Sequence, residues 1–412
     1  MELPNFRYFN VVWGESYTDL FMDGCLASEL SPGNLPFVAN KTTCSYTIYT
    51  TPEYKRIIAK SDVFKKLASM MSVRFVEFSG VSYVGKHGIL SQCTRHFMKT
   101  FVHEDCAFVM MYPDVIVADG AYARILEIVQ SGKRVVAAHA PRLSKETFIP
   151  ALQDRFGKGK NMAPLASRNL VKLALQHLHP ETSAMSWWSE DYSIVQQECL
   201  CWPVNQEGLL IRTLNMTPFM IRPYNKTVFP EYNLDAAYLL EAFDSMDDVY
   251  VVCDTDDICI MDCTSELDRL DNIKPGKINI QDVVRYAKRH AHSFHLDCLK
   301  HRIYFHCDDV SANWEHIASK SDEVVNDIFC RLSKEAFKAG ETTYSAPGAG
   351  AHKPSWFKVV SPLFWLRQLR ELGPSGLIKK LLSKLYFIIM QFLFGKKIRI
   401  KEIRELGPPV KQ

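Results

Sequence analysis

The chain has 412 residues, of which 47% are hydrophobic and 23% are charged, and its formal net charge is +3. This length allows roughly two or three domains, and the composition excludes an intrinsically disordered chain. The charge is uneven, because Lys353–Gln412 holds 13 basic and 3 acidic residues. The rest of the chain is therefore mildly acidic, which argues against nucleic acid as its partner.

The cysteines and the apolar runs narrow the class of protein further. Twelve cysteines are scattered without a CxxC pair, which favours reduced thiols over a disulfide framework or a common zinc motif. Met1–Val12 lacks the basic start and apolar core of a secretory leader,. No run reaches the roughly 18–20 apolar residues that cross a bilayer. We therefore expect a cytosolic chain.

Strand and helix patterns alternate over about the first third of the chain. The predicted strands are Tyr8–Val12, Ser45–Tyr49, Val73–Phe78, Ala107–Met111 and Arg134–Ala138. The predicted helices are Tyr17–Leu30, Glu53–Met70, Ile89–Phe101 and Tyr122–Gln130. This alternation predicts an α/β fold of the Rossmann-like kind, with a mostly parallel sheet flanked by helices on both faces.

Ligand contacts are expected just past the strand ends, because open parallel sheets bind their ligands beyond the carboxyl ends of the strands. The residues at those places are Trp13, Gly14, Glu15, Thr50, Thr51, Asp114, His139 and Arg142. No GxGxxG follows the first strand, and no GxxxxGK[ST] occurs. A standard dinucleotide fold and a P-loop nucleotidase are therefore both disfavoured.

The stretch Cys106–Gly120 contains the main candidate for a ligand-binding residue. Its first apolar run, Ala107–Met111, is short and does not alternate with polar residues, as expected of a buried parallel strand,. Pro113 cannot donate to a sheet ladder, so the strand should end there. Asp114 then lies at the carboxyl end of a central strand, where a carboxylate can hold a divalent ion and through it a diphosphate. The alternative is an aspartate that caps a turn.

A second acidic stretch, Asp254–Asp257, follows the predicted strand Val249–Cys253. Asp254 and Asp256 are candidate ligands of a divalent metal ion, and the alternative is a solvated turn rich in aspartate. Five histidines follow between His290 and His306. They favour either a zinc ligand set or a partly solvated helix and strand. His306, at the end of the predicted strand Ile303–Phe305, is the histidine to test first.

The segment Met110–Val117 can be aligned with a motif of two apolar residues, Asp-x-Asp and two more apolar residues. Asp114 occupies the second Asp position, and Tyr112 stands in place of the first. With the strand and helix order, this resembles the GT-A fold of nucleotide-sugar-dependent glycosyltransferases. The resemblance covers about Phe6–Arg142. It implies that Asp114 positions the diphosphate of the donor, with or without Mn²⁺ or Mg²⁺, and Asp119 is a candidate for the missing charge.

The resemblance also implies two further roles. A carboxylate late in the chain can deprotonate the acceptor hydroxyl, and a basic group can offset the charge of the leaving diphosphate. The candidates for the first role are Glu190, Asp191 and Glu207, and those for the second are Arg142 and Arg212. Trp187 and Trp188, beside Glu190, favour either a sugar-stacking surface or core packing. Each charged candidate could also be a solvated surface residue.

The end of the chain differs in character from the body. Residues 339–355 are rich in Gly, Pro, Ser and Ala and predict a linker,. Residues 356–412 predict a basic amphipathic helical tail, in which apolar segments with Trp are flanked by Lys and Arg. Such helices tend to lie in a membrane interface, where a basic flank adds roughly 1 kcal/mol per residue on anionic lipid. The alternative is a helical pair that packs on the body or on a second subunit.

From these features we expect residues 1–150 to be the nucleotide-sugar-binding half and residues 151–338 the acceptor-side half of one catalytic body. The expected function is transfer of a sugar to a cell-surface glycan or lipid-linked acceptor, in polysaccharide biosynthesis. The expected location is cytoplasmic, peripheral on the inner face of the cell membrane. Two alternatives remain: another nucleotide-using transferase such as a nucleotidyltransferase, and a non-catalytic sugar-binding or nucleotide-binding scaffold.

Overall fold

The computed structural model describes residues 3–79, 85–230, 234, 236–243, 245–339 and 399–402. Apart from Ala339, the last residue of the final described helix, the predicted linker lies outside these residues. Of the predicted helical tail only Arg399–Glu402 is described, and the helix prediction is wrong there because these residues form a strand. Within the described part of the chain, no helix is long and apolar enough to cross a membrane. All twelve cysteines are free thiols.

The strands are β1 (Asn5–Val12), β2 (Cys44–Thr50), β3 (Ser72–Ser79), β4 (Cys106–Met110), β5 (Val115–Val117), β6 (Val135–Ala138), β7 (Arg142–Ser144), β8 (Tyr192–Ile194), β9 (Cys199–Val204), β10 (Gly208–Thr213), β11 (Thr217–Ile221), β12 (Val249–Val251), β13 (Ile260–Thr264), β14 (Ile273–Pro275), β15 (Ile303–His306) and β16 (Arg399–Glu402). The helices are α1 (Glu15–Leu20), α2 (Leu26–Glu29), α3 (Leu35–Ala39), α4 (Pro52–Lys60), α5 (Asp62–Met70), α6 (Lys86–Thr100), α7 (Ala121–Gln130), α8 (Lys145–Phe156), α9 (Ser167–Ala174), α10 (Pro180–Ala184), α11 (Ala236–Ala242), α12 (Ile280–His290), α13 (Ser293–Lys300) and α14 (Ala312–Ala339).

The described strands of the central sheet lie in the order β12-β6-β11-β4-β1-β2-β3-β16. Six of them run parallel, while β11 is antiparallel to both β4 and β6, and β16 is antiparallel to β3. The predicted α/β fold with a mostly parallel sheet is therefore confirmed. The chain moves from β1 outward through β2 and β3 and then returns to the other side of β1 as β4. The strand order thus reverses between β1 and β4, and a crevice is expected beyond their carboxyl ends.

Both faces of the central sheet are covered, which explains why its strands are almost continuously apolar. On one face, Phe6 and Tyr8 of β1 belong to a core shared with α2–α5 and α7. On the other face, Phe9 and Val11 join a core that continues through α6, α8 and α9 to one side of β9 and β10. The carboxyl edge of the sheet is therefore the part left for ligands.

The helix predicted over Glu53–Met70 is wrong in one respect, because it is two helices. Ser61 has extended backbone between α4 and α5, and its hydroxyl accepts a hydrogen bond from the Phe64 amide. A serine hydroxyl is a strong N-terminal cap. The apolar spacing continues across this break, so periodicity alone did not locate it.

Three smaller sheets complete the described part of the body, and one of them is the antiparallel pair of β8 and β14. The strands β9, β10 and β15 form an antiparallel sheet whose far side packs on α12 and α14 around the fully buried Trp202 and Trp314. The strands β5, β13 and β7 form the third small sheet just beyond the ends of β4 and β6. This β5-β13-β7 sheet holds the polar residues described next.

Candidate active site

The β5-β13-β7 sheet brings together three charged residues that are distant in sequence. Asp114 directly precedes β5, and its carbonyl accepts a 2.7 Å hydrogen bond from the Cys263 amide of β13. Asp262 of β13 pairs with Val115 on one side and with Arg142 of β7 on the other. The ladder register therefore fixes two carboxylates and one guanidinium at the carboxyl edge of the central sheet.

Asp114 is half-buried, and its surroundings disfavour its charged form. Burial raises the pKa of Asp114 to about 7, and the negative charge of Asp262 contributes to the same rise,. The charges of Arg142 and Lys86 oppose that rise without cancelling it. A carboxyl group whose pKa lies near neutrality can exchange a proton at physiological pH, or gain strongly from a bound cation.

Arg142 is held by carboxylates on two sides. Its Nη1 donates a 2.6 Å hydrogen bond to Asp262, and its Nε lies 3.2 Å from the carboxylate of Glu181 on α10. Glu181 is fully buried and also accepts 2.6 Å hydrogen bonds from Arg269 and Asn272. Burial alone would raise the pKa of Glu181, but the hydrogen bonds and the nearby Arg charges lower it. Glu181 therefore acts as a buried anchor that fixes Arg142 and Arg269.

Tyr17 and Lys86 complete the group of polar and charged side chains around Asp114. Burial raises the pKa of Tyr17 to about 12, and the charges of Asp114, Asp268 and Asp262 add to the rise. Because of this raised pKa, Tyr17 stays a neutral hydrogen-bond donor at physiological pH. It lies on α1, which directly follows β1. Lys86 begins α6, and its charge is close enough to oppose the raised pKa of Asp114. The site thus combines carboxylates, a phenol and cations.

The residues predicted after β1 adopt a tight turn. Gly14 has φ of +81°, which an L side chain rarely adopts, and its carbonyl accepts hydrogen bonds from the amide and hydroxyl of Thr18,. Trp13 is partly buried, with its ring edge-on to Phe78 at 5.8 Å between centroids. Glu15 is exposed at the start of α1. Trp13 therefore contributes to packing, and its use as a ligand contact stays a prediction.

The other residues that were predicted to contact the nucleotide sugar have different surroundings. Thr50 ends β2 and is fully buried, and its hydroxyl has no hydrogen-bond partner within the described residues. The Nε2 atom of His139 lies 3.9 Å from the sulfur of Cys199. Asp119 accepts a 2.7 Å hydrogen bond from the Gly33 amide. The carboxylate that influences Asp114 is therefore Asp262, whereas Asp119 holds a neighbouring loop.

The three carboxylates predicted to deprotonate the acceptor, and Arg212, predicted to offset the charge of the leaving diphosphate, lie in three separate places. Glu207, in the turn between β9 and β10, accepts a 2.9 Å hydrogen bond from the indole of Trp314. Glu190 and Asp191 are exposed, and Glu190 forms a 3.5 Å ion pair with Lys277. Arg212 is buried, and its guanidinium bonds Asp322, Ser321 and the Lys300 carbonyl. The described contacts join none of these four to Asp114, and their catalytic roles stay predictions.

Asp254 and Asp256 form a second cluster with His306. The Nε2 atom of His306 is 2.8 Å from Asp254 and 3.9 Å from Asp256. One ligand atom from each residue lies within 4.8 Å of the others. This arrangement is a possible metal-binding triad.

A cavity of about 230 Å³ lies between α1 and α8. Asp19, Asp23 and Glu146 line it together with Lys145. None of the predicted site residues lines this cavity, and its acidic wall is a poor match for a diphosphate. The carboxyl edge near Asp114 is therefore the better candidate site.

Five of the residues that build this site were not found from the sequence: Tyr17, Lys86, Glu181, Asp262 and Arg269. Asp262 carried a usable signal, because it is the single charged residue within the apolar run Ile258–Cys263. A lone carboxylate in a buried strand needs a partner. Glu181 and Arg269 gave no comparable signal, since each lies in a polar segment.

Comparisons with known proteins do not assign a family. No protein-family model matches the chain, and no curated protein is significantly similar to it.

Proposed function

We propose that the protein is a glycosyltransferase that moves a sugar from a nucleotide-sugar donor to a cell-surface glycan or lipid-linked acceptor. The observation that carries the proposal is the position of Asp114. Asp114 lies where the parallel strands of the central sheet end, beside the point where strand order reverses. Its side chain is half-buried near Asp262 and Arg142. The carboxyl edge is where α/β sheets bind nucleotides.

The proposed donor site uses the charges around Asp114. A nucleotide sugar carries a diphosphate, and transfer leaves that diphosphate with added negative charge. Arg142, Arg269 and Lys86 are the cations that would offset this charge, and Glu181 holds the two arginines in place,. Tyr17 supplies a neutral hydroxyl donor. This combination favours a phosphorylated ligand over a neutral one.

The residues also fit a divalent cation. Asp114 and Asp262 place two carboxylates near each other, and burial together with the charge of Asp262 raises the pKa of Asp114, so a cation bound beside it would favour its ionised form,. In this proposal, Asp262 takes the role of the first Asp, which the linear motif lacks at Tyr112. Bound Mn²⁺ or Mg²⁺ would neutralise diphosphate charge, and Asp114 and Asp262 would hold it.

Donor turnover tests the proposal. The full-length protein is incubated with uridine, guanosine, cytidine and thymidine diphosphate sugars, with and without Mn²⁺, and nucleotide release is measured. We expect one nucleotide class to be turned over, and Asp114→Asn to abolish the turnover. Asp154→Asn, an exposed residue of α8, is the matched control. Binding without turnover would favour a non-catalytic scaffold, and absence of both binding and turnover with every donor would contradict the proposal. Turnover of nucleoside triphosphates alone would favour a nucleotidyltransferase.

The proposed membrane role rests on the sequence of residues 356–412. Truncation would also remove β16, which pairs with the edge strand β3, so charge reversal is the cleaner test. The double variant Lys379→Glu/Lys380→Glu in the full chain should weaken the affinity for anionic liposomes, measured by flotation, about thirtyfold or more, because two basic residues at roughly 1 kcal/mol each contribute about 2 kcal/mol. Flotation unchanged from wild type, or no flotation of the wild type itself, would reject the membrane role.

A further inference from the structure

The cluster of Asp254, Asp256 and His306 joins two sheets. Asp254 and Asp256 lie in the turn that follows β12 of the central sheet, and His306 is the last residue of β15 in the β9-β10-β15 sheet. The two segments already touch, because the Thr255 amide donates a 3.0 Å hydrogen bond to the Tyr304 carbonyl. The three side chains thus converge from two elements that the backbone holds in fixed register.

The imidazole of His306 has one orientation available to it. Its Nδ1 atom is 2.6 Å from the Asp308 carbonyl, which can only accept, so Nδ1 carries a proton,. Nε2 is therefore the atom that faces the carboxylates of Asp254 and Asp256. The side chain is 2% exposed, so the ring cannot turn away without disrupting its packing against Trp314. A histidine that donates one ring N–H to a backbone carbonyl is oriented as metal-binding histidines are.

The distances suit a single small cation. Ligand atoms bound to one ion at about 2.0–2.2 Å lie about 3 Å apart when they subtend a right angle. The separation of His306 Nε2 from Asp254 is 2.8 Å, and that from Asp256 is 3.9 Å. The side chains of Asp254 and Asp256 are 39% and 41% exposed. Water can therefore reach the cluster and complete the coordination.

The ligand types also restrict the ion. Two carboxylates and one imidazole neutralise a divalent charge, and imidazole favours transition metals over Ca²⁺ and Mg²⁺. Arg168 competes for part of this charge, since its guanidinium hydrogen-bonds both oxygens of the Asp256 carboxylate and also Asp309. Arg168 is an exposed side chain, and a carboxylate oxygen has a second lone pair for a metal. The ion pair and the ion can therefore coexist.

We propose that Asp254, Asp256 and His306 bind one divalent transition-metal ion, such as Mn²⁺ or Zn²⁺, at a site separate from the donor site around Asp114. The ion links the turn after β12 to the end of β15, and so ties the central sheet to the β9-β10-β15 sheet. Its binding does not depend on the proposed glycosyl transfer.

Calorimetric titration of the chelator-treated full chain with MnCl₂ and with ZnCl₂ tests the site. We expect one equivalent to bind at this site, and each of Asp254→Asn and Asp256→Asn to weaken that equivalent about tenfold or more. Asp309→Asn is the matched control, because Asp309 bonds Arg168 without facing His306, and it should bind as wild type does. Asp114→Asn should also retain this equivalent, which separates the site from the donor site.

Pulsed electron paramagnetic resonance of the Mn²⁺-loaded protein adds a direct readout. Modulation from an imidazole nitrogen is expected in the wild type and should disappear in His306→Gln. If that variant does not fold, the two aspartate variants at exposed positions still decide the outcome. The proposal is overturned if the wild type binds neither metal, if both aspartate variants bind as the wild type does, or if bound Mn²⁺ shows no nitrogen modulation.

Discussion

Replacing Asp114 with asparagine should stabilise the protein at alkaline pH. The pKa of Asp114 is raised from 3.8 to about 7, because burial and the charge of Asp262 disfavour its ionised form. Folding therefore costs free energy whenever this carboxyl must ionise. Stability is unaffected below the unfolded pKa of 3.8 and is lost as pH rises through about 7,. The amide of asparagine has no charge, so it removes this cost.

The size of the effect follows from the shift in pKa. About three pKa units at 1.36 kcal/mol each give a cost of about 4 kcal/mol at pH 8. A little under half of that cost is already present at pH 5, so about 2–3 kcal/mol develops between pH 5 and pH 8. This is an upper limit, because Asp114 is only half-buried,.

Urea denaturation of the wild type and of Asp114→Asn at pH 5 and pH 8 measures this difference. The variant should gain stability relative to the wild type as pH rises, while Asp154→Asn on the exposed side of α8 should show no comparable gain. A variant that is less stable than the wild type by the same amount at both pH values would refute the reasoning. Binding sites commonly contain buried charged groups that lower the stability of the folded protein.

Three further predictions concern other carboxylates. Asp262→Asn should lower the pKa of Asp114, because a negative charge is removed; carbon-13 NMR of the Asp114 carboxyl measures it, and an unchanged value would show that the two groups do not interact. Glu29→Gln should reduce the loss of stability between pH 5 and pH 8 by about 2 kcal/mol, because burial raises the pKa of Glu29 from 4.5 to about 7,. Stability linked to Glu29 is present below pH 4.5 and is lost as pH rises through 7, and equal urea midpoint shifts in both proteins would contradict this. Glu181→Gln should destabilise the fold by about 3 kcal/mol, because it leaves Arg142 with less counter-charge; a loss below 1 kcal/mol in urea would show that Glu181 is not the anchor.

The strands of the first half were predictable from sequence because they are buried on both faces. A continuous apolar run bounded by Pro113 indicates such a strand and also the place where it ends. Asp114 could therefore be placed at the carboxyl edge before its neighbours were known. The break at Ser61 could not be found in this way, because the apolar periodicity continues across it.

The partners of Asp114 could not be predicted, because they depend on pairing between distant strands. Asp262 reaches the site only because β13 lies between β5 and β7. Glu181 depends on the position of α10 beside β7, which the hydrogen bond from the Thr182 hydroxyl to the Arg142 carbonyl helps to fix. Local patterns identify elements, whereas the site depends on how those elements pair.

The antiparallel strand β11 was likewise not foreseen. It is inserted between β4 and β6, so the main sheet is completed by a segment from the second half of the chain. The two halves predicted from sequence therefore share one sheet. This sharing explains why residues from β13 and α10 can meet a site whose first carboxylate lies near the end of β4.

Donor binding tests the central claim most directly. Calorimetric titration of the full chain with the four nucleotide-sugar classes, with and without Mn²⁺, should show saturable binding of one class. The same titration with Asp114→Asn should show that binding weakened at least tenfold, while Asp154→Asn keeps it. Binding of no nucleotide sugar, or equal affinity in wild type and Asp114→Asn, would contradict a donor site at the carboxyl edge of this sheet.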